Sequence, residues 1–318
     1  MKPSKVESGS AMSTLSRQKA IQSNLQRRAR IIAAVRTFFR QHGYLDVETP
    51  CRIPAPAPEA HIEAQASGNW YLQTSPELCM KRLLAAGYER IFQICRCFRK
   101  QERGNRHLPE ITLLEWYTAG VDYTHMMAQC EQLIMHVVQQ LGMEPSLPYQ
   151  GDTIDLRPPW PRLTVRQAFE RYAESSMDQA LETDRFDELM GLQIEPQLGR
   201  SRPVILMDYP LRHGALARTK PGHTELVERF ELYIGGLELC NAFSELTDPA
   251  EQRQRFSQES EFRRRAGKPE TPVPEPFLSA LARMPDAAGN ALGLDRLTML
   301  LCNAATIDAV VAFVPEEL

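Results

Sequence analysis

Apolar side chains form a clear helical pattern near the start of the chain. Between residues 17 and 42 they recur every three or four positions among arginines, which is the spacing of one face of an α-helix. Gly43 ends the predicted helix, because glycine readily takes the left-handed conformation that follows a last helical turn. This face fits either the protein core or a subunit interface, and the pattern leaves both open. Its members are Ile21, Leu25, Ile31, Ile32, Val35, Phe38 and Phe39.

The rest of the chain alternates short strands with helices. Apolar or alternating runs predict strands over residues 44–50, 70–74, 91–99, 111–117 and 204–209. Helical periodicity predicts helices over residues 75–86, 124–142 and 249–266, and a mixed, mostly helical segment over 143–200. These elements predict an α+β fold in which an antiparallel sheet is flanked by helices.

Two segments show no such pattern. Residues 1–16 are polar, which predicts a disordered lead-in before one folded domain over residues 17–318. Residues 53–58 are rich in proline, and we expect them to form a plain surface loop.

A β-hairpin is predicted over residues 229–243, with Gly235-Gly236 as its turn, because paired glycines fit a two-residue turn. The register that follows pairs Tyr233 with Glu238 and Leu232 with Leu239.

Composition is that of an ordinary globular protein, with 43% apolar and 24% charged residues in a chain of 318. The net charge of −3 supplies no overall attraction for nucleic acid. No signal-peptide core and no run of ~18 apolar residues occur, so we expect a cytoplasmic protein without a membrane anchor. The seven cysteines include no C-x-x-C pair; Cys95-x-Cys97 could suggest zinc, but its apolar neighbours favour a buried strand with reduced thiols.

Three glutamates lie at intervals of seven residues around the hairpin. In the predicted register Glu231 lies diagonally opposite Glu238, ~7–8 Å away on one sheet face. Such a pair suits Mg²⁺ held partly through phosphate oxygens. Two glutamates on a solvated strand face would give the same sequence pattern. Glu245 follows an apolar run with Asn241 and Phe243, which suits a pocket for a substrate ammonium; a helix-capping role is the alternative.

Two arginines are placed to hold phosphates. Arg99 ends an apolar strand, so its guanidinium would leave the sheet at a fixed place. Arg296 follows a glycine-rich turn, where a nucleotide can approach the backbone closely. A lone arginine in either place is more often a salt-bridge partner; together with the glutamates the two arginines indicate binding of a triphosphate and an amine.

Several stretches resemble the class II aminoacyl-tRNA synthetases. Residues 45–50 (LDVETP) resemble motif 1, residues 98–117 resemble motif 2, and residues 289–300 resemble motif 3. Residues 74–77 (TSPE) and 237–249 (LELCNAFSELTDP) are similar to the lysyl branch. The resemblance spans roughly residues 25–315.

Motif 1 begins too early to leave room for the anticodon-binding OB domain of a lysyl-tRNA synthetase, so we expect no anticodon binding. The chain is most similar to truncated lysyl-tRNA synthetase paralogues that attach (R)-β-lysine to translation elongation factor P. Ala291 supports this, because true lysyl-tRNA synthetases resemble one another in having glycine there.

The resemblance implies an ATP- and Mg²⁺-dependent ligase that forms an aminoacyl-adenylate and then an amide on a lysine of elongation factor P. It also implies a homodimer and a substrate that is β-lysine or lysine. The implied ATP-binding residues are Arg99, Gln101, His107, Glu238, Leu239, Gly293 and Arg296, with Arg99 and Arg296 catalytic and Glu231 and Glu238 placing the metal. The implied amino-acid pocket comprises Ser75, Pro76, Glu77, Tyr117, Asn241, Phe243, Glu245 and Ala291.

Motif 2 departs from the family pattern at Gln101, Leu108 and Ile111. Ile111 stands where the resemblance leads us to expect a phenylalanine on adenine, which should weaken ATP binding by ~0.5–1.5 kcal/mol. Two alternatives therefore remain: a lysyl-type enzyme that charges tRNA or another carrier, and a catalytically idle regulatory paralogue.

Overall fold

A computed structural model describes residues 14–318, and a nine-stranded sheet forms its centre. The strands are β1 (Leu45–Asp46), β2 (Arg52–Ile53), β3 (Ala66–Ser67), β4 (Trp70–Leu72), β5 (Arg90–Phe98), β6 (Glu110–Ala119), β7 (Ser146–Tyr149), β8 (Asp152–Asp155), β9 (Arg162–Thr164), β10 (Val204–Pro210), β11 (Thr219–Lys220), β12 (His223–Ile234), β13 (Leu237–Ser244) and β14 (Ala287–Gly293). The central sheet runs in the order β1-β5-β6-β14-β13-β12-β10-β9, with β11 beside β12.

Most strand pairs of this sheet are antiparallel, and helices pack around it. Within it, the pairs β1–β5 and β9–β10 are parallel. The helices are α1 (Thr14–Ala20), α2 (Gln22–Gln41), α3 (Glu77–Ala85), α4 (Tyr123–Gln140), α5 (Val165–Tyr172), α6 (Met177–Glu182), α7 (Phe186–Leu189), α8 (Pro249–Arg265), α9 (Glu275–Leu281) and α10 (Leu294–Leu301). The predicted α+β fold, with an antiparallel sheet flanked by helices, is confirmed.

The amino-terminal predictions need two corrections. Residues 14–16 belong to α1, so that part of the predicted lead-in is helical; its earlier residues lie outside the described part of the chain. The strand expected over 44–50 is only Leu45–Asp46. It lies at the outer edge of the sheet, where β5 is its single neighbour, and Leu45 is 50% exposed there.

The apolar face of α2 belongs to the core. Val35, Phe38 and Phe39 are at most 2% exposed, and the rings of Phe39 and Phe92 stack with centroids 4.8 Å apart. Burying such a side chain stabilises the fold by roughly 1.5–3 kcal/mol. The packing of α2 against the sheet therefore decides between the two readings of its pattern in favour of the core.

Helix α10 is tied to the sheet and to α2 through one buried carboxylate. Asp295 accepts a hydrogen bond from the backbone N–H of Thr112 at 2.7 Å and pairs with Arg28 at 2.5 Å. Arg28 also donates to the Thr112 hydroxyl at 2.8 Å. These contacts set the start of α10, and with it Arg296, against β6.

The hairpin of β12 and β13 turns at Gly235-Gly236, as the sequence predicts, and both glycines have the positive φ of such a turn. Tyr233 pairs with Glu238 as expected, but Leu232 pairs with Cys240 rather than with Leu239. The register shifts there because Leu239 is an extra residue in β13, a β-bulge. An extra residue reverses the alternation of faces, so Asn241 and Phe243 share the face of Glu238.

No helix among residues 14–318 is both long and apolar enough to cross a lipid bilayer.

Candidate active site

Two rows of side chains cross the central sheet and define one face of it. In the first row the strand register places Glu115, Ala291, Asn241 and Glu231 side by side on β6, β14, β13 and β12. The next row places Tyr117, Gly289, Phe243 and Arg229 on the same strands. Residues two apart on a strand point to the same side, so both rows share a face. Five of the residues predicted to bind substrate or metal therefore lie together: Tyr117, Asn241, Phe243, Ala291 and Glu231.

Glu115 lies at one end of the first row and is fully buried. Its carboxylate accepts hydrogen bonds from the Ser75 hydroxyl at 2.6 Å and from the Tyr117 hydroxyl at 2.8 Å. Burial and the neighbouring Glu77 raise the pKa of Glu115 to about 8. A carboxyl with this pKa holds a proton at neutral pH, and it loses that proton readily when a cation binds beside it.

Glu245 is the second buried acid of the pocket, and its side chain is completely inaccessible. One oxygen lies 2.5 Å from the ammonium of Lys81, and that ammonium lies 2.5 Å from Glu77. Burial raises the pKa of Glu245 to about 8 against the opposing effect of Lys81. The capping alternative is excluded, because Asp248 caps α8 through hydrogen bonds from Ala250 and Glu251.

The start of α3 borders this pocket through three consecutive residues, Ser75, Pro76 and Glu77. The Ser75 oxygen accepts the backbone N–H of Glu77 at 3.0 Å while its own hydrogen goes to Glu115. Pro76 occupies the N-cap position of α3, and the Ser75 side chain binds the first turn. The turn thus directs Ser75 and Glu77 toward the two buried acids.

Glycine at position 289 is required by close packing. A Cβ atom there would lie less than 3.0 Å from both the Tyr117 ring and an oxygen of Glu245. In the neighbouring row, Ala291 stands between Glu115 and Asn241, where its methyl group narrows the same face. The absence of a side chain at Gly289 therefore lets Tyr117 and Glu245 lie close together, and the methyl group of Ala291 limits the space beside them.

Arg296, Glu238 and His107 form a contact at the other end of the face. The Arg296 guanidinium donates to the Glu238 carboxylate at 3.1 Å and to its backbone carbonyl at 2.8 Å, and it lies 2.5 Å from the His107 ring. Burial alone would raise the pKa of Glu238, but Arg296 lowers it below its ordinary value. Gly293 lies beside them, where an added Cβ would meet only the Arg296 side chain, at 3.7 Å.

Arg99 follows the end of β5 and is incompletely satisfied within the protein. Its nearest carboxylate is Glu102 at 3.9 Å, and its buried Nε has no hydrogen-bond partner. Gln101, two residues on, is exposed and has a positive φ of 64°. A guanidinium with an unsatisfied N–H and only a distant carboxylate partner, at the edge of a pocket, suits a phosphate oxygen. Leu239, also predicted to contact ATP, is 1% exposed and its side chain belongs to the main hydrophobic core.

Glu231 is held by protein groups on both oxygens. Arg229 donates to one at 2.6 Å, and the hydroxyls of Tyr209 and Tyr233 donate to the other, each at 2.6 Å. Burial and Glu238 raise the pKa of Glu231. Among residues 14–318 no group of three or more histidines, cysteines or acids could hold a metal by itself. Glu238 with Glu231 behind it fits Mg²⁺ only if phosphate oxygens complete the ligand set.

Leu108 and Ile111, two of the motif 2 departures, serve packing. Leu108 is 4% exposed and lies with Met299 and Ile307 in a small apolar cluster, and Ile111 packs against it. The apolar side chain of Leu108 therefore anchors the motif 2 loop to the carboxyl-terminal segment.

The proline-rich segment is more than the plain surface loop that the sequence predicts. Pro56 and Pro58 are buried, and Ala57 packs against an apolar cluster that includes Phe256 of α8. Just after the segment, Ala60 donates its N–H to Glu259 at 2.7 Å, and Arg263 binds the carbonyls of Glu59 and Ile62. Burial and Glu77 raise the pKa of Glu59 to about 7, and Arg99 opposes this rise. Fastened to α8 in this way, the segment brings a further acid to the border of the pocket.

Four residues of the site were not predicted: Glu115, Lys81, Arg229 and Glu59. Glu115 stood inside a recognised motif, and its position two residues before Tyr117 on a strand was a usable signal. Lys81 gave no such signal, because a lysine four residues after a glutamate on a helix usually forms an exposed ion pair with it.

Comparisons with known proteins agree with this geometry. The family of class II tRNA synthetases for D, K and N matches residues 8–317, and the chain belongs to this family. Proteins named elongation factor P–(R)-β-lysine ligase are among its relatives. The one from Klebsiella pneumoniae (strain 342) is 38% identical over 92% of this chain and 95% of its own length. Those from Erwinia tasmaniensis and Edwardsiella ictaluri are also 38% identical, over 93% and 92% of this chain and 96% and 94% of their own lengths.

Proposed function

We propose that this protein activates (R)-β-lysine with ATP and transfers it to a lysine side chain of translation elongation factor P. The observation that carries the proposal is the pocket of Glu77, Glu115 and Glu245, on the sheet face where Glu238 pairs with Arg296. Arg99 follows β5, the strand that pairs with the strand of Glu115. Buried acids with a single lysine among them attract ammonium groups, and the arginines suit phosphates. An amino acid with two amines is thereby brought next to a nucleotide.

In the first step the substrate carboxylate attacks the α-phosphorus, and pyrophosphate leaves with the electrons of the broken P–O bond. Arg99 and Arg296 hold the phosphates and balance the charge that develops on them. No side chain acts as a nucleophile in this step, so the rate increase comes from positioning and electrostatic stabilisation. Glu238 and Glu231 would hold Mg²⁺, which when bound neutralises phosphate charge.

In the second step the ε-amine of a lysine on elongation factor P attacks the carbonyl carbon of the adenylate. An amide bond forms, AMP leaves, and the attacking nitrogen loses a proton. The amino-acid side of this complex would stay fixed by Ser75, Pro76, Glu77, Tyr117, Asn241, Phe243, Glu245 and Ala291, and the nucleotide side by Gln101, His107, Leu239 and Gly293. A translation factor and ATP as substrates place the reaction in the cytoplasm.

We also infer that two copies associate through the edge of the central sheet. Within residues 14–318, β1 is an edge strand with no strand neighbour on its outer side, and Leu45 is exposed there. Light scattering after gel filtration is expected to give twice the chain mass of 36.1 kDa, and Leu45→Lys to give a monomer. A monomeric wild-type protein would remove this inference and leave the reaction untouched.

The transfer is tested by incubating the protein with ATP, Mg²⁺, elongation factor P and one lysine isomer at a time. Intact mass spectrometry should show elongation factor P gaining one β-lysyl group, with (R)-β-lysine ahead of (S)-β-lysine and α-lysine. Labelling of tRNA in place of elongation factor P would favour the lysyl-type synthetase alternative. An absence of labelling on both, with the adenylate still formed, would point to another carrier.

A further inference from the structure

Lys81 is a buried ammonium that the reaction described above does not use. Its side chain is inaccessible to solvent, and its Nζ lies 2.5 Å from Glu77 and 2.5 Å from Glu245. The Phe243 ring centroid is 5.1 Å from that nitrogen and the Phe277 centroid 6.0 Å. Two acids and two aromatic faces are the surroundings of a bound cation, and here the protein supplies the cation itself.

Lys81 keeps its proton in spite of its burial. Burial alone would lower its pKa, but the carboxylates of Glu245 and Glu77 raise it above the ordinary value. A buried lysine without such partners tends to become neutral, so the two contacts and the charge depend on one another. Lys81 is therefore a permanent positive charge between the acids of α3 and the end of β13.

The charges of the pocket leave a definite surplus. The acids are Glu77, Glu115 and Glu245, and Lys81 forms ion pairs with two of them, Glu77 and Glu245. In the substrate-free pocket Glu115 and Glu245 hold protons at neutral pH, because burial raises the pKa of each to about 8. When bound cations have displaced these protons, three negative charges less one positive charge leave two. At the border, Glu59 and Arg99 carry opposite charges. Tyr117 stays neutral, because burial and Glu115 raise its pKa well above the ordinary value. Two surplus charges match a substrate with two ammonium groups.

We propose that Lys81 is a positioning residue that holds Glu77 and Glu245 apart and sets the pocket charge to match a diamino acid. This inference rests on the proposed function and adds the reason for its substrate class. With Lys81 between them, Glu77 serves one amine beside Ser75. Glu245 faces Tyr117 and Glu115 and serves the other. A substrate with one amine would leave a buried carboxylate uncompensated, which a low-dielectric site disfavours.

The effect of Lys81 on the pocket charge can be measured as the number of protons released when a substrate binds. Without Lys81, three acids would share the pocket with no cation, and at neutral pH at least one more of them would hold a proton. A diamino acid would have to displace that proton, so its binding would release about one more proton and weaken more steeply as the pH falls.

The test compares Lys81→Met, Lys81→Arg, Glu77→Gln and the double variant Glu77→Gln/Lys81→Met by calorimetry. (R)-β-lysine, α-lysine and the one-amine analogue norleucine are titrated into each protein, in two buffers of different ionisation enthalpy, to count protons. Lys81→Met is expected to weaken diamino-acid binding about tenfold or more and to release the extra proton. Lys81→Arg should keep the wild-type proton count. The double variant should bind better than the sum of its single changes predicts.

Equal affinity and equal proton count in Lys81→Met and wild type would overturn the proposal, as would Lys81→Arg behaving like Lys81→Met. If Lys81→Met does not fold, the double variant decides, because its acids again outnumber its cations by two and it should release the wild-type number of protons. A wild-type protein that binds none of the amino acids would instead contradict the proposed function.

Discussion

At the scale of single residues, the site depends on acids that are kept out of water. Glu115 and Glu245 are fully buried, and both have pKa values raised to about 8. Each carries a cost in the substrate-free protein, because burial of a carboxylate is unfavourable until a cation compensates it. The same cost makes the pocket selective for cationic substrates, because a bound ammonium compensates the buried negative charge.

The first prediction concerns the pH dependence of stability. Between its ordinary pKa near 4.5 and its raised pKa of about 8, a buried Glu115 binds its proton more strongly in the folded than in the unfolded protein. The free energy of unfolding of the substrate-free protein should therefore fall as the pH rises through this window. The part between pH 6.5 and 8 is the clearest, because His213, whose pKa burial lowers to about 4, acts in the opposite direction only below pH 6.5.

Thermal unfolding at pH 6.5 and pH 8 measures this effect. Glu115→Gln, which cannot titrate, should show a smaller decrease than wild type. Glu188→Gln is the matched control, since Glu188 is exposed and Arg185 lowers its pKa, so that it does not titrate in this range. An unchanged decrease in Glu115→Gln would show that the carboxyl at position 115 is not the source.

The second prediction concerns the contact at Gly289. Gly289→Ala would push its methyl group into Tyr117 and Glu245, and overpacking of this kind costs about 1–3 kcal/mol. The KM for the amino acid should rise more than the KM for ATP, because the displaced groups line the amine pocket. Steady-state kinetics and urea unfolding measure both effects. Gly191→Ala, where an added Cβ meets nothing within 4 Å, should leave them unchanged; equal KM values in Gly289→Ala and wild type would be a contradiction.

At the scale of the elements, the strands and helices were largely predictable and their exact register was not. The hairpin turn at Gly235-Gly236 follows from local backbone chemistry, and the sequence shows it. The bulge at Leu239 has no such local signal, because any apolar residue could occupy it. Glutamates 231, 238 and 245 could be recognised as a set, but only the bulge explains why Asn241 and Phe243 share the face of Glu238.

The third prediction concerns the attachment of α10. Asp295→Asn would leave Arg28 without its buried partner, and breaking one side of a buried ion pair costs about 3–5 kcal/mol. We expect a large decrease in the free energy of unfolding, measured in urea. Asp155→Asn, which breaks an exposed pair with Arg157, should leave the free energy of unfolding nearly unchanged. Similar losses in the two variants would mean that the Arg28 contact is not structurally important.

At the scale of the whole molecule, the site joins segments that lie far apart in the sequence. Lys81 on α3 meets Glu245 after β13, and Arg296 on α10 meets Glu238 on β13. Motifs revealed most of the residues involved, since each motif is continuous in sequence. Lys81 and Arg229 escaped because their roles arise from partners on other strands and from burial, which a linear pattern does not report. The proline-rich segment was misjudged for the same reason: its residue Ala57 packs against a cluster that includes Phe256 of α8, about two hundred residues away.

The most direct test of the account is amino-acid-dependent exchange of pyrophosphate into ATP, with (R)-β-lysine, (S)-β-lysine and α-lysine compared. We expect exchange to be fastest with (R)-β-lysine, to be lost in Glu245→Ala, and to persist in Glu188→Ala, whose carboxylate is exposed. Exchange that fails with every isomer, or that survives Glu245→Ala unchanged, would contradict the claim that this pocket activates a diamino acid.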